Sequence, residues 1–124
     1  MQIDRLTIIL PWPDTSLMPN RKNGRHWGNT QAAKVRARQD GYFGAKQAVG
    51  ANKLVMADRL PTRITFVAPD KRSRDLDGLL GCVKANLDGI AQAIGIDDKH
   101  FRPMTLDDAI DTQKRGFVKV EIGT

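Results

Sequence analysis

From residue 64 to residue 95 the chain reads ITFVAPDKRSRDLDGLLGCVKANLDGIAQAIG. Ile64, Phe66 and Ala68 alternate with Thr65 and Val67, the period-two pattern of a strand, and Pro69 stops it. A basic run follows, and then a helical period carries the chain from about Leu76 to Ile94, with Gly95 placed to cap the end. On an ideal helix Leu76, Leu80, Val83, Leu87, Ile90 and Ile94 gather on one side and form a core face. Asp77, Gly81, Lys84 and Asp88 share a second side. Cys82, Ala85, Gly89 and Ala93 make a third side of small residues, open to the close approach of another backbone.

Working outward, Ile3 to Leu10 alternates as a strand ended by Pro11 and Pro13, and Val118, Val120 and Ile122 mark another over Phe117–Ile122. His100 to Leu106 is a candidate short strand. Pro11 to about Gly28 is rich in turn formers and reads as a long loop, functional or mobile, holding Trp12, Arg21, Lys22, Arg25, His26 and Trp27. A helix capped by Thr30 and running to about Val49 is expected, with Val35, Tyr42 and Val49 on one stripe and Lys34 and Arg38 on another. Gly50 and Pro61 bracket a connection with room for a helical turn. The expected architecture is α+β: one domain over 1–124, a small mixed sheet of three or four strands with two main helices packed on it.

A chain of 124 residues with 40% hydrophobic and 27% charged residues fits one soluble globular domain. No apolar run is long enough to span a membrane, and Met1–Leu10 mixes Asp4 and Arg5 among its apolar residues, unlike a secretory leader. The lone Cys82 cannot form an internal disulfide, so a cytoplasmic setting is expected. The formal net charge of +6 favours a polyanionic partner, nucleic acid before a membrane surface.

The chemistry concentrates where the basic run meets the helix. Arg72 and Arg74 precede Asp75-Leu76-Asp77, and a second acidic pair, Asp97-Asp98, lies where the helix stops. Asp75 and Asp77 are two apart and, in an extended approach, point the same way. Carboxylates grouped in this manner repel one another when empty and suit Mg²⁺, which takes oxygen ligands and completes its shell with waters and phosphate oxygens. Lys84 is placed to stabilise charge on a reacting phosphate. A plainer reading makes Asp75 and Asp77 helix-start acids, Lys84 and Asp88 a surface pair, and Asp97-Asp98 a turn. There is no P-loop, and one Cys with two separated His do not make a zinc set. Cys82 reads as core filler, His26 as a phosphate or stacking contact, and His100 as a loop residue near the acidic pair, with a supporting role toward it open.

Residues 69–77, Pro69-Asp70-Lys71-Arg72-Ser73-Arg74-Asp75-Leu76-Asp77, followed by Leu79, Lys84, Leu87-Asp88 and Asp97-Asp98, resemble the RusA family of Holliday junction resolvases. Leu10-Pro11-Trp12-Pro13 is similar to the opening motif of that family, which is often phage- or prophage-encoded. The resemblance implies a homodimer that binds four-way DNA junctions in recombination and repair and nicks two strands symmetrically with Mg²⁺ or Mn²⁺. It implies metal-binding, catalytic roles for Asp75, Asp77 and Asp98, and a catalytic role for Lys84. The chain departs from the pattern at Gly78, where the family commonly has Asn, and at Gly81, where the best-known pattern has its lysine. Arg21, Lys22, Arg25, Arg72 and Arg74 are the expected DNA-binding cations. Trp12 could stack at the junction centre or cover the core. A non-catalytic phage DNA-binding protein, or a nuclease of flaps and forks, are the competing expectations.

Overall fold

The alternation of apolar residues builds a four-stranded sheet in the computed structural model, which describes residues 1–17 and 27–123. In chain order the elements are β1 (Gln2–Ile3), β2 (Arg5–Pro11), α1 (Trp27–Val49), β3 (Lys53–Leu54), β4 (Thr62–Ala68), α2 (Leu76–Cys82), α3 (Lys84–Ile94), β5 (Met104–Ile110) and β6 (Phe117–Gly123). The main sheet has the order β2-β6-β4-β5. β6 pairs antiparallel with β2 and β4, while β5 lies parallel to β4 on the outer edge. β1 and β3 form a separate two-residue parallel pair.

Register converts alternation into a core. Ile8 faces Val120, which faces Ile64, and Leu10 faces Val118, which faces Phe66. All six are at most 1% exposed. Burying each such side chain stabilises the fold by about 1.5–3 kcal/mol before chain entropy is counted. Leu79, Val83, Leu87 and Ile90 close the core from the helical side. The mixed α+β fold is as expected, with three α-helices among the described residues rather than two.

The third helix arises because the run from Leu76 to Ile94 breaks at Val83 (φ −102°, ψ 7°). A straight helix of that length would extend about 28 Å, past a seven-residue strand of about 23 Å. Across the bend Leu79 and Cys82 are buried, while Leu76 and Leu80 of the expected face are half-buried. Gly95 (φ 77°) caps α3 as expected.

α1 begins at Trp27, not after a Thr30 cap. Its buried face is Ala33, Ala37, Gly41 and Ala45, whereas Val35 of the expected stripe is 47% exposed. The cause is close helix packing. A Cβ on Gly41 would stand 2.1 Å from the Asn86 carbonyl oxygen, and one on Gly89 2.0 Å from that of Arg38. The buried Asn86 amide fastens the pair by donating to the Ala37 carbonyl at 2.8 Å. Gly89 thus fulfils the small-residue face of the sequence, with α1 as its partner. The connection after α1 holds the short β3 and no helical turn, and β5 runs farther along the chain than the expected His100–Leu106.

Candidate functional site

The loop before α2 is knitted around Asp70. Its carboxylate accepts hydrogen bonds from the Arg72 backbone N–H at 2.9 Å, Arg72 Nη2 at 3.0 Å and Arg74 Nη2 at 2.8 Å. Arg74 Nη1 also donates to the Asp70 and Arg72 carbonyls, and its guanidinium lies 5.2 Å from the centre of the Trp12 ring. Chiefly because of Arg72, the Asp70 carboxyl is held well below the usual carboxylate range. Arg74 is only 17% exposed, so it serves the loop more than a ligand. Trp12 packs against the core beneath it, which makes the tryptophan a lid.

This clamp delivers Asp75 to the N-cap position of α2 in extended conformation (φ −83°, ψ 131°). Its exposed carboxylate makes no capping hydrogen bond, so it is not merely a cap. Asp77, also exposed, accepts from the adjacent Gly78 N–H at 2.9 Å. These two carboxylates present acceptor-only oxygens suited to a hard divalent cation.

Asp98 begins a short 3₁₀ turn, Asp98–His100, capped by Asp97, whose Oδ1 accepts from Lys99 N–H at 3.0 Å. That backbone contact lowers the Asp97 pKa. The Asp98 carboxyl is pushed up, first by its hydrogen bond with Asp97, then by burial and by the charge of Asp88. The carboxylates meeting Asp98 are therefore Asp97 and Asp88. Asp75 and Asp77 stand at the end of α2 remote from α3. Among the described residues no group of three or more His, Cys, Asp and Glu side chains is disposed to hold a metal ion.

Lys84 opens α3 after the break, so a single helical stripe from Asp77 to Lys84 is not kept. It lines a groove between α1 and the α2–α3 pair, together with Gly81, Asp88, Lys34 and Arg38. Arg38 meets Asp88 at 3.8 Å. Cys82 is 1% exposed, and burial pushes its thiol up to about 11, which removes the thiolate needed for nucleophilic chemistry. His100 Nδ1 contacts the Asp58 carbonyl at 2.8 Å, a loop tie. Arg21, Lys22, Arg25 and His26, and the side chain of Trp27, lie outside the described residues.

Two residues gain roles that the sequence reading did not assign. Asp70 organises the loop, and its signal was the Asp-x-Arg spacing that lets an aspartate accept from the backbone two residues on. Asp108, on the edge strand β5, lines a second groove with Asp70, Arg72 and Arg74; a single acid in a weakly patterned strand carried no signal.

No family model matches the chain. It is similar to an uncharacterized protein of Xylella fastidiosa, 35% identical over 96 residues, which cover 77% of this chain and 61% of that protein. The chain thus spans under two thirds of the length of the curated relative it matches. No helix among the described residues is long and apolar enough to cross a membrane.

Proposed function

We propose that the chain is a metal-dependent, structure-selective endodeoxyribonuclease that acts as a homodimer on four-way DNA junctions. One observation carries the reading: a buried-side arginine clamp fixes Asp75 and Asp77 at a helix start, and the Asp75 carboxylate is left exposed and unused by the helix. Asp75 and Asp77 would hold Mg²⁺ or Mn²⁺, with Asp98 as the third carboxylate. The cation, when bound, supplies charge neutralisation at the scissile phosphate and a more acidic water. Lys84 stabilises negative charge on the phosphate oxygens. The Arg74–Asp70 clamp holds the two acids in place and so limits the reorganisation that catalysis would otherwise require.

Among the described residues Asp75, Asp77 and Asp98 do not form one metal-binding group within a single chain, so the proposal has Asp98 supplied by a second copy. A two-fold dimer provides this twice over and matches a two-fold junction. The same separation favours a second reading, a non-catalytic DNA-binding protein, should the chain act alone.

The test is cleavage of a four-way junction in Mg²⁺. Asp75→Asn is expected to bind the junction and to lose cutting by at least a hundredfold. Cutting at the wild-type rate would overturn the assignment. Equal affinity for plain duplex and junction, with no nicking in Mg²⁺ or Mn²⁺, would establish the second reading. Faster cutting of flaps or forks than of junctions would redirect the substrate.

A further inference from the structure

The cations that the basic run offers to DNA are largely committed within the chain. Arg74 is bonded to Asp70 and to two carbonyls, and Arg72 is tied to the same carboxylate. Cations with fewer ties face the groove between α1 and the α2–α3 pair, which encloses about 820 Å³. Lys34 and Arg38 line one wall, four residues apart on one face of α1, and Lys84 lines the other. Gly81, with no side chain, and Ala85, with a methyl group, occupy little of the groove.

The charge balance points to an anion. Asp88 is the single carboxylate among the described lining residues, against three cations. Its pair with Arg38 spans 3.8 Å between side chains 45% and 58% exposed, an arrangement that contributes little and exchanges readily. Among the described residues neither Lys34 nor Lys84 has a carboxylate in ion-pair reach. The described lining also contains no aromatic side chain, so it offers nothing on which a base would stack. Such a surface reads the sugar-phosphate backbone and positions it without reading sequence.

We infer that this groove is the track for a phosphodiester strand of the branched DNA, with Lys34 and Arg38 as its positioning residues. The inference rests on the DNA-binding part of the proposed function and is independent of cleavage. A strand held there runs past Lys84 to Asp88, the residue that meets Asp98. The track would therefore lead the backbone toward one of the proposed metal ligands.

The experiment measures junction affinity by fluorescence anisotropy across a salt series in EDTA, so that cutting plays no part. Lys34→Gln, Arg38→Gln and the double variant are compared with wild type and with Lys53→Gln, an exposed lysine away from the groove. Each lost phosphate contact should reduce the slope of log K against log salt by about 0.9, so the double variant should lose nearly two and bind at least tenfold more weakly at 0.1 M salt. Lys53→Gln should retain the wild-type slope. Thermal melting of the variants, all at exposed positions, checks that folding is intact. A wild-type slope in the double variant, or no DNA binding by the wild type, overturns the inference. Competition by polyglutamate as effective as that by DNA at equal charge overturns it in favour of an acidic protein. A wild type that binds with the expected slopes but never nicks in Mg²⁺ supports the track and removes only the nuclease reading.

Discussion

Replacing Gly89 by alanine sets two physical effects against each other. Helix propensity alone makes alanine the better residue by about 1 kcal/mol. Packing opposes it, because the added Cβ would lie 2.0 Å from the Arg38 carbonyl oxygen and 2.9 Å from the Tyr42 nitrogen, both backbone atoms of α1. Real Cβ atoms essentially never come within 3.0 Å of such neighbours, so the helices must part by about 1 Å. A gap of that size forfeits about a quarter to a half of each dispersion contact along the seam. It also strains the Asn86–Ala37 hydrogen bond. Overpacking against backbone belongs at the upper end of the usual 1–3 kcal/mol, so the net loss should be about 2 kcal/mol. For a chain of this size that is a fall of about 8 °C in melting temperature. Urea unfolding followed by circular dichroism supplies the measurement, with Gly44→Ala as comparator. There the nearest atom is Ile8 Cγ2 at 3.0 Å, a side-chain contact with no backbone atom in the way, and the change should be smaller. An unchanged or raised midpoint for Gly89→Ala would refute the backbone-contact argument.

Three further outcomes follow from protonation. The Asp98 carboxyl has a folded pKa above its ordinary 3.8, so its ionised form costs stability at neutral pH, and that cost disappears once the pH is below 3.8. Asp98→Asn should therefore melt higher than wild type at pH 7, with the advantage vanishing in acid; a constant difference across pH would contradict this. Asp70, Asp97 and Asp111 have lowered values, so the stability they contribute is present above 3.8 and is lost as pH falls below it. Cys82, buried and with its thiol near 11, should resist a thiol reagent at pH 8 until denaturant is added. Rapid labelling of the native protein would show that the α2–α3 bend opens.

The sheet was readable because its strands are buried on one face only: alternation at Leu6, Ile8 and Leu10, and again at Val118, Val120 and Ile122, has no other simple explanation. β5 escaped because an edge strand with little burial need not alternate, and Met104–Ile110 does not do so clearly. The bend at Val83 interrupts an apolar period that runs on from Leu76 to Ile94, so periodicity alone did not mark it. At the site, Asp75 and Asp77 could be located from their helix start. The stacking of Arg74 on Trp12 could not, because it brings together the loop before α2 and the end of the first main strand. The meeting of Asp98 with Asp88 required the turn after Gly95.

The outer border of the sheet has its own consequence for how copies of this protein can associate. Among the described residues β5 has no neighbouring strand on one flank of its backbone, the usual invitation to lateral growth. Asp107 and Asp108 sit at the middle of that strand. Two copies aligned antiparallel along this border would bring these acids together; Arg63 at 2.7 Å offsets Asp107 in each copy, and the Asp108 charges disfavour the pairing. The strand thus carries its own gatekeepers, and a functional pair of subunits would have to meet through another surface.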